Sequence, residues 1–406
     1  MKYLVLIGDG MSDLPLKELK GKTPLEAART PNMDHLAQHG VCGWVNNVPK
    51  GMTPGSDVAA MSIFGYDPKN YYTGRGPLEA ASLGVKLNKD EIAFRCNLVS
   101  VKDGKMHDFT ANHISTKEAD KILKLLNSKI GSKEIKFHTG LSYRHLLVMK
   151  EGVGDSELGA KGLKTTPPHD ITGKKIGKYL PQGKGKEVLL KLMNESEVIL
   201  HQMKTKATLI WPWGQGKLLP MKKLKEKYGL KGAVITAVHL LKGIGKILGM
   251  KVINVPGATG YLDTNYKGKA EYAIRALKDN DIVFVHVEAP DEAGHEGDVK
   301  KKIRAIEDFD RLVVGTILSW VKGSKACLPV RQGQRVKVLV LPDHPTPISL
   351  KTHTSDAVPF VIWGREEISE DKKGREGIKG YNEKEIGKAK LRVKNGYELL
   401  SYLLSA

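Results

Sequence analysis

Cysteine is scarce: Cys42, Cys96 and Cys327 are all that a chain of 406 residues carries. An odd number, with no C-x-x-C pair, argues against a disulfide framework and for a reducing compartment. Aromatic residues make up only 6% of the chain. The Lys residues are scattered rather than interleaved with aromatics along a stripe, so nucleic acid is not the expected partner. Long apolar runs are missing too. None approaches the length that crosses a bilayer, and the run behind Met1 is too short for a signal peptide. The expectation is a cytoplasmic protein without a membrane partner. A GxxxxGK[ST] loop is also absent, which counts against ordinary ATP chemistry.

What is present is positive charge, formally +20, and 40% apolar residues. The first favours small anionic partners, or a solvated Lys-rich surface as in some thermophiles. The second suffices for a large core in roughly two to three domains. Oligomeric state is not legible.

Tyr3 to Ile7 is an apolar run that ends in Gly8-Asp9-Gly10. It reads as a buried strand of a parallel sheet with Asp9 at its carboxyl end. Thr30-Pro31 starts a helix that stops at Gly40. Thr53-Pro54-Gly55 makes a tight turn, and Ser56 opens a helix to about Phe64. Ser at that place is commonly only a cap. The same place also offers free N–H groups and the positive helix end to an alkoxide or a phosphate. From about Val85 the texture changes to half-buried strands and one amphipathic helix, Lys117 to Lys129. Residues 85–185 therefore read as an inserted α+β domain between core segments 1–84 and 186–406. Strands near Ala207–Trp211, Ala233–Val238, Lys251–Val255, Ile282–Val287, Val336–Leu341 and Val358–Trp363 alternate with helices, one of them Val299–Lys322. That alternation makes a mostly parallel sheet flanked by helices, an α/β core.

His286 to Asp298 begins at the end of one of these strands. Pro290, Gly294 and Gly297 suggest an irregular segment there, carrying Asp291 and His295. Asp343-His344 follows another strand, and His353 comes shortly after. Asp9, Ser56, Asp291, His295, Asp343, His344 and His353 thus form one candidate constellation. Five of them follow apolar strands whose carboxyl ends a shared sheet would align. Three Asp, three His and a Ser suit two borderline divalent cations able to activate an oxygen nucleophile and neutralise a phosphoryl group. Ser56 is then expected within about 10 Å of His344 and His353.

These motifs resemble the alkaline phosphatase superfamily. More narrowly, Thr23 to Asp34 (TPLEAARTPNMD), Tyr72 to Ala80 (YTGRGPLEA) and Pro168 to Lys174 (PHDITGK) resemble the archaeal-type cofactor-independent phosphoglycerate mutases. A close branch, mostly bacterial, has been proposed to act as homoserine kinase. The segment Lys325 to Arg335 does not look like the family. The resemblance implies an alkaline phosphatase-like core. It implies one cation on Asp291, His295 and His353, and a second on Asp9, Asp343, His344 and the Ser56 oxygen. Mn2+ is the first choice, with Zn2+, Co2+ and Mg2+ as alternatives, and no 2,3-bisphosphoglycerate is required. It implies interconversion of 3-phosphoglycerate and 2-phosphoglycerate through a phosphoserine at Ser56. Arg75, Arg144, His169, Asp170 and Lys242 are candidates for holding the substrate carboxylate and moving protons. The inserted domain is expected to act as a lid. The alternatives are a metal-dependent phosphatase or phosphodiesterase, or a homoserine kinase-like phosphotransferase, on the same core.

Overall fold

The computed structural model describes residues 1–153, 162–323, 335–364 and 377–405. In chain order the strands are β1 (Lys2–Gly8), β2 (Val41–Val45), β3 (Glu91–Lys102), β4 (Lys105–Asp108), β5 (Ile135–Leu141), β6 (Arg144–Lys150) and β7 (Leu209–Gly216). They continue with β8 (Gly232–Ile235), β9 (Lys251–Ile253), β10 (Ile282–Val287), β11 (Val336–Leu341), β12 (Val358–Gly364) and β13 (Arg392–Val393). One unit combines Met1–Tyr72 with Met221–Ala406, and a second spans Thr73–Pro220.

The first unit is built on a sheet of order β13-β2-β12-β11-β1-β10-β8-β9. Its pairings are parallel except where β12 runs antiparallel to β11 and β2. The central strands read KYLVLIG, IVFVHV and VKVLVL and are almost wholly buried. They lack the polar alternation of a half-exposed strand because both faces are covered. Leu4, Val283, Val285 and Val338 share a core with Ala270, Ala273 and Ile317 of the helices Tyr266–Ala276 and Gly315–Val321. Phe284, pointing to the other face, meets Phe64 beyond the helix Ser56–Ile63, with ring centroids 4.6 Å apart. Ile7 stands in register with His286 on one side and Leu341 on the other. The three strands therefore end level, and Asp9, Glu288 and Asp343 emerge at one edge.

The second unit has an antiparallel sheet in which β3 pairs with β4, β6 and β7, and β5 pairs with β6. The helices Thr116–Lys129 and Lys186–Met203 bury Ile122, Leu126, Leu189 and Leu192 in its core. The helix Arg75–Leu83 covers the other face, where Ala80 packs with Ala93, Leu146 and Val148, and an antiparallel sheet with helices packed on it makes the unit α+β.

Three local expectations change. The Ala207–Trp211 strand, read as part of the core alternation, is the start of β7 and pairs with β3. Its apolar run cannot reveal which sheet it joins, so the compact second unit is wider than 85–185. The residues after β10, expected to be irregular, form the helix Ala289–Glu296. Pro290 lies in its first turn, where a missing N–H costs nothing, and Gly297 at φ 75° ends it. The helix expected over Val299–Lys322 contains a wide turn at Phe309–Val314 between Val299–Asp308 and Gly315–Val321. Of the unusual segment Lys325 to Arg335, only Arg335 falls within the described residues.

Glu383 accepts hydrogen bonds from Thr23 Oγ1 at 2.7 Å and from the Asp13 N–H at 3.2 Å. Burial lifts its carboxyl from the ordinary 4.5 to about 7. Between those values the native chain binds the extra proton. The stability this proton supplies is full below the ordinary value and fades as pH rises toward 7. Glu383→Gln removes the titration. Relative to this variant, the parent's urea unfolding free energy should drop by on the order of 1–3 kcal/mol between about pH 5 and about pH 7.5. Parallel pH curves for the two proteins would contradict this account.

Candidate metal centre

Asp9 leaves β1 and the chain bends at Gly10, which has φ 60°. A Cβ there would lie 2.6 Å from both Asp291 Oδ1 and Thr346 Oγ1, so glycine is required by conformation and by space. The Gly10 N–H donates to Asp343 Oδ1 at 3.0 Å, and the His344 N–H donates to the same oxygen at 2.8 Å. Two donors on one oxygen fix the carboxylate and leave Oδ2 free of the backbone. Asp291 and His295 stand four residues apart on the helix Ala289–Glu296, hence on one face. His353 arrives on the loop after β11.

The seven residues of the constellation meet. Ser56 Oγ lies 3.4 Å from Asp9 Oδ2 and 3.3 Å from His344 Nε2. His344 Nε2 is 3.6 Å from Asp9 Oδ1 and 3.4 Å from Asp343 Oδ2. Asp291 Oδ2 is 3.2 Å from His295 Nε2, and Asp291 Oδ1 is 3.4 Å from His353 Nε2. The His295 and His353 Nε2 atoms face each other at 2.9 Å, and the His344 and His353 ring centroids are 4.1 Å apart. Among the described residues, two groups have ligand atoms mutually within 4.8 Å: Asp9, Asp343 and His344, and Asp291, His344 and His353. His344 thus stands between two clusters.

The substrate candidates are Lys242, Arg75, Arg144, His169 and Asp170. Lys242, on the helix His239–Ile247, donates to Asn254 Oδ1 at 3.1 Å. The other four belong to the second unit. There Trp213 forms a platform: the Arg75 and Arg95 guanidinium carbons lie 5.5 and 5.1 Å from its ring centroid, and His169 packs against it at 5.4 Å. Arg144 lies over Tyr143, and Asp170 is exposed, with Oδ1 3.5 Å from His169 Nε2. Arg95 and Trp213 were not among the expected site residues. A strand Arg and a strand Trp carry no local signal, and only the pairing of β3 with β7 brings them together. His286, Glu288, Lys269 and Thr346 were missed at the core site for the same kind of reason. Thr346 Oγ1 donates to Asp291 Oδ1 and sits 3.3 Å from His344 Nδ1.

The donor set fits divalent cations. Among the described residues, neither Asp9 Oδ1 nor Asp343 Oδ2 has a hydrogen-bond partner, although both are buried. Buried carboxylate oxygens without donors are costly unless a cation answers them. Burial and the neighbouring Asp343 and Asp291 carboxylates push Asp9 well above the ordinary carboxyl range. That repulsion is what positive charge between the acids would relieve. His295 Nδ1 faces the Lys351 carbonyl at 3.0 Å. A carbonyl only accepts, so this nitrogen carries hydrogen and Nε2 is the one directed inward. The hydrogen bond to Asp291 holds the His295 imidazolium up to about 9. A ligating imidazole is neutral, so cation uptake below that pH must expel a proton. Calorimetric titration with Mn2+ near about pH 7.5, in two buffers of different ionisation enthalpy, should therefore show at least one proton released per chain. Affinity should rise toward about pH 9. Heats independent of the buffer would count against this site.

Residues 37–205 match the family model of 2,3-bisphosphoglycerate-independent phosphoglycerate mutase. The chain is 49% identical to the protein of that name from Methanosarcina acetivorans, over 100% of both chains. It is 46% identical to a probable 2,3-bisphosphoglycerate-independent phosphoglycerate mutase from Geobacter sulfurreducens, again over 100% of both. Among solved structures, a protein from Pyrococcus horikoshii matches 100% of this chain and 96% of its own, at 30% identity and a TM-score of 0.77. The cofactor-independent phosphoglycerate mutase of Thermoplasma acidophilum shares the fold, at 24% identity and a TM-score of 0.63 over 100% of this chain and 99% of its own. Coverage of full length at close to half identity leaves one assignment: the chain belongs to the 2,3-bisphosphoglycerate-independent phosphoglycerate mutase family.

Proposed function

We propose that this chain interconverts 3-phosphoglycerate and 2-phosphoglycerate by passing the phosphoryl group through Ser56. The observation that carries the reading is the Ser56 hydroxyl at the head of its helix, 3.3 Å from His344 Nε2, beside the two ligand clusters. Bound there, two divalent cations, Mn2+ by our choice, would lower the hydroxyl pKa and spread charge on the phosphoryl oxygens. Asp291, His295 and His353 would hold one; Asp9, Asp343, His344 and the Ser56 oxygen would hold the other. Carboxylates and imidazoles without thiolate suit Mn2+, Zn2+ or Co2+ more than Mg2+.

The chain's own groups do the rest. Asp9 Oδ2 and His344 Nε2 keep the Ser56 oxygen at the start of the helix Ser56–Ile63. There, free N–H groups favour first an oxyanion and then a bound phosphate. Ser56 gives up its hydroxyl proton, Oγ bonds to phosphorus as the bond to the 3-oxygen breaks, and that oxygen takes a proton. The glycerate turns, its 2-hydroxyl loses its proton and attacks the phosphoserine as the bond to Ser56 breaks, and the Ser56 oxygen takes a proton back. Retaining glycerate calls for groups that grip a carboxylate. We assign this to Lys242, to Arg75 and Arg95 about Trp213 and to Arg144, with His169 and Asp170 as proton carriers. Excluding water separates a mutase from a phosphatase, because hydrolysis of the phosphoserine yields free phosphate.

Among the described residues no helix is long and apolar enough to cross a membrane. The buried free thiols of Cys42 and Cys96 agree with a reducing, cytoplasmic setting.

Purified protein given 3-phosphoglycerate and Mn2+, without 2,3-bisphosphoglycerate, should yield 2-phosphoglycerate. Activity should vanish on chelation and fall by at least about 1,000-fold in Ser56→Ala, since the nucleophile itself is lost. Free phosphate as the main product would instead favour a phosphatase. Arg75→Ala should lower kcat/KM by about 10–100-fold, the worth of a charged hydrogen bond. An unchanged kcat/KM would remove Arg75 from the carboxylate grip.

A further inference from the structure

The end of β10 holds a line of buried charged groups that the proposed reaction does not use. His286 Nε2 lies 3.2 Å from Asp9 Oδ2 and 4.0 Å from Asp343 Oδ2. Its Nδ1 lies 3.2 Å from Glu288 Oε1 and 3.3 Å from Thr236 Oγ1. Glu288 is itself pinned. Its Oε1 accepts from the Ala237 N–H at 2.7 Å and from Thr236 Oγ1 at 3.0 Å, and its Oε2 accepts from Lys269 Nζ at 2.6 Å. Lys269 Nζ also donates to the His286 carbonyl at 2.8 Å. Lys269 and His286 are both 0% exposed.

Lys269, Glu288, His286 and Asp9 therefore form one continuous line with no solvent-exposed member. Such a line is an expensive way to fill a core. Each buried charge costs several kcal/mol before its partners answer it, and apolar side chains of the same volume would pack the space at lower cost. Its far end explains the expense. Asp9 Oδ2 faces His286 Nε2 in an ion-pair contact that lacks hydrogen-bond geometry and accepts from the Ser56 hydroxyl, while Asp9 Oδ1 and Asp343 Oδ2 have no hydrogen-bond partner among the described residues. A carboxylate that is free to rotate offers either oxygen. One that faces a fixed imidazole offers the other.

We infer that His286 is a positioning residue. Held by Glu288 and, through it, by Lys269, it fixes the Asp9 carboxylate so that Oδ1 is presented to the cation of the Asp9, Asp343 and His344 cluster. The inference rests on the two-cation reading above. It adds that one of the two ions depends on His286, Glu288 and Lys269, none of them assigned to substrate or metal. The Asp291, His295 and His353 cluster has its own support in Thr346 and the Lys351 carbonyl, so the dependence is selective.

The test uses the full chain and Mn2+ alone, with free Mn2+ counted by its paramagnetic resonance signal during titration. The parent should bind two ions. In His286→Ala one ion should bind as in the parent, and the other should weaken by about 10–100-fold, as when an outer contact that orients a ligand is removed. His286→Gln places an amide nitrogen near the position of Nε2 and should recover part of the loss. Glu288→Gln leaves the ring but loosens its anchor, and should weaken the same ion. Thermal unfolding in chelator identifies any variant that fails to fold, and the remaining two then decide. Two parental affinities in the folded variants would overturn the inference. So would equal weakening of both ions with Gln no better than Ala. A parent that takes up fewer than two Mn2+ would overturn the two-cation reading, and this inference with it.

Discussion

Repulsion among three buried carboxylates is the constraint on which the core unit depends. Asp9, Asp291 and Asp343 are each less than a tenth exposed, and Asp9 feels both of the others. Left alone, such a cluster would protonate or open. Instead the fold surrounds it with imidazoles, backbone N–H groups and a helix start. Burial disfavours the Asp343 charge, yet His344 and His286 keep that carboxyl at about 2. Hydrogen bonds from His295 and His353 hold Asp291 well below the ordinary carboxyl range despite its burial. The parallel sheet makes this arrangement reachable. Strands β1, β10 and β11 end level, and each delivers a residue to the same point.

Much of this was legible in the amino-acid order. Apolar runs without alternation mark the central strands, and Pro54-Gly55-Ser56 marks a helix start. The resemblance to the archaeal-type mutases, read on three motifs spread along the chain, agrees with full-length relatives at 45–49% identity. The α/β core with an inserted α+β region was also readable, because a switch from βα alternation to half-buried strands is a property of composition. Spacing alone misjudged the segment after β10. Pro290 and two glycines looked like loop punctuation, whereas Pro in a first turn and Gly after a last turn are also the marks of a short helix.

What could not be read is what depends on partners far along the chain. The His286–Glu288–Lys269 line joins a strand, the residue after it and a helix, and buried Lys and His show no periodicity that tells them from surface groups. Lys302 is another case. It looks like one of many lysines on an amphipathic helix, yet it is 0% exposed and donates to Asp13, Ser12 and Thr346. It thereby ties the loop after β1 to the loop that carries His344. The cluster of Arg75, Arg95 and His169 about Trp213 likewise follows from the pairing of β3 with β7, which no local pattern encodes.

The place of β1 in its sheet has a consequence for how the polypeptide is made. Among the described residues its neighbours are β10 and β11, whose first paired residues are Ile282 and Val336. On a ribosome adding about 5–20 residues per second, this apolar segment waits some tens of seconds before either flank exists. The antiparallel unit, contiguous from Thr73 to Pro220, is complete well before then. The strand that carries Asp9 is thus made long before its flanks and placed only after them, and shielding it in the interval falls to whatever attends the nascent chain.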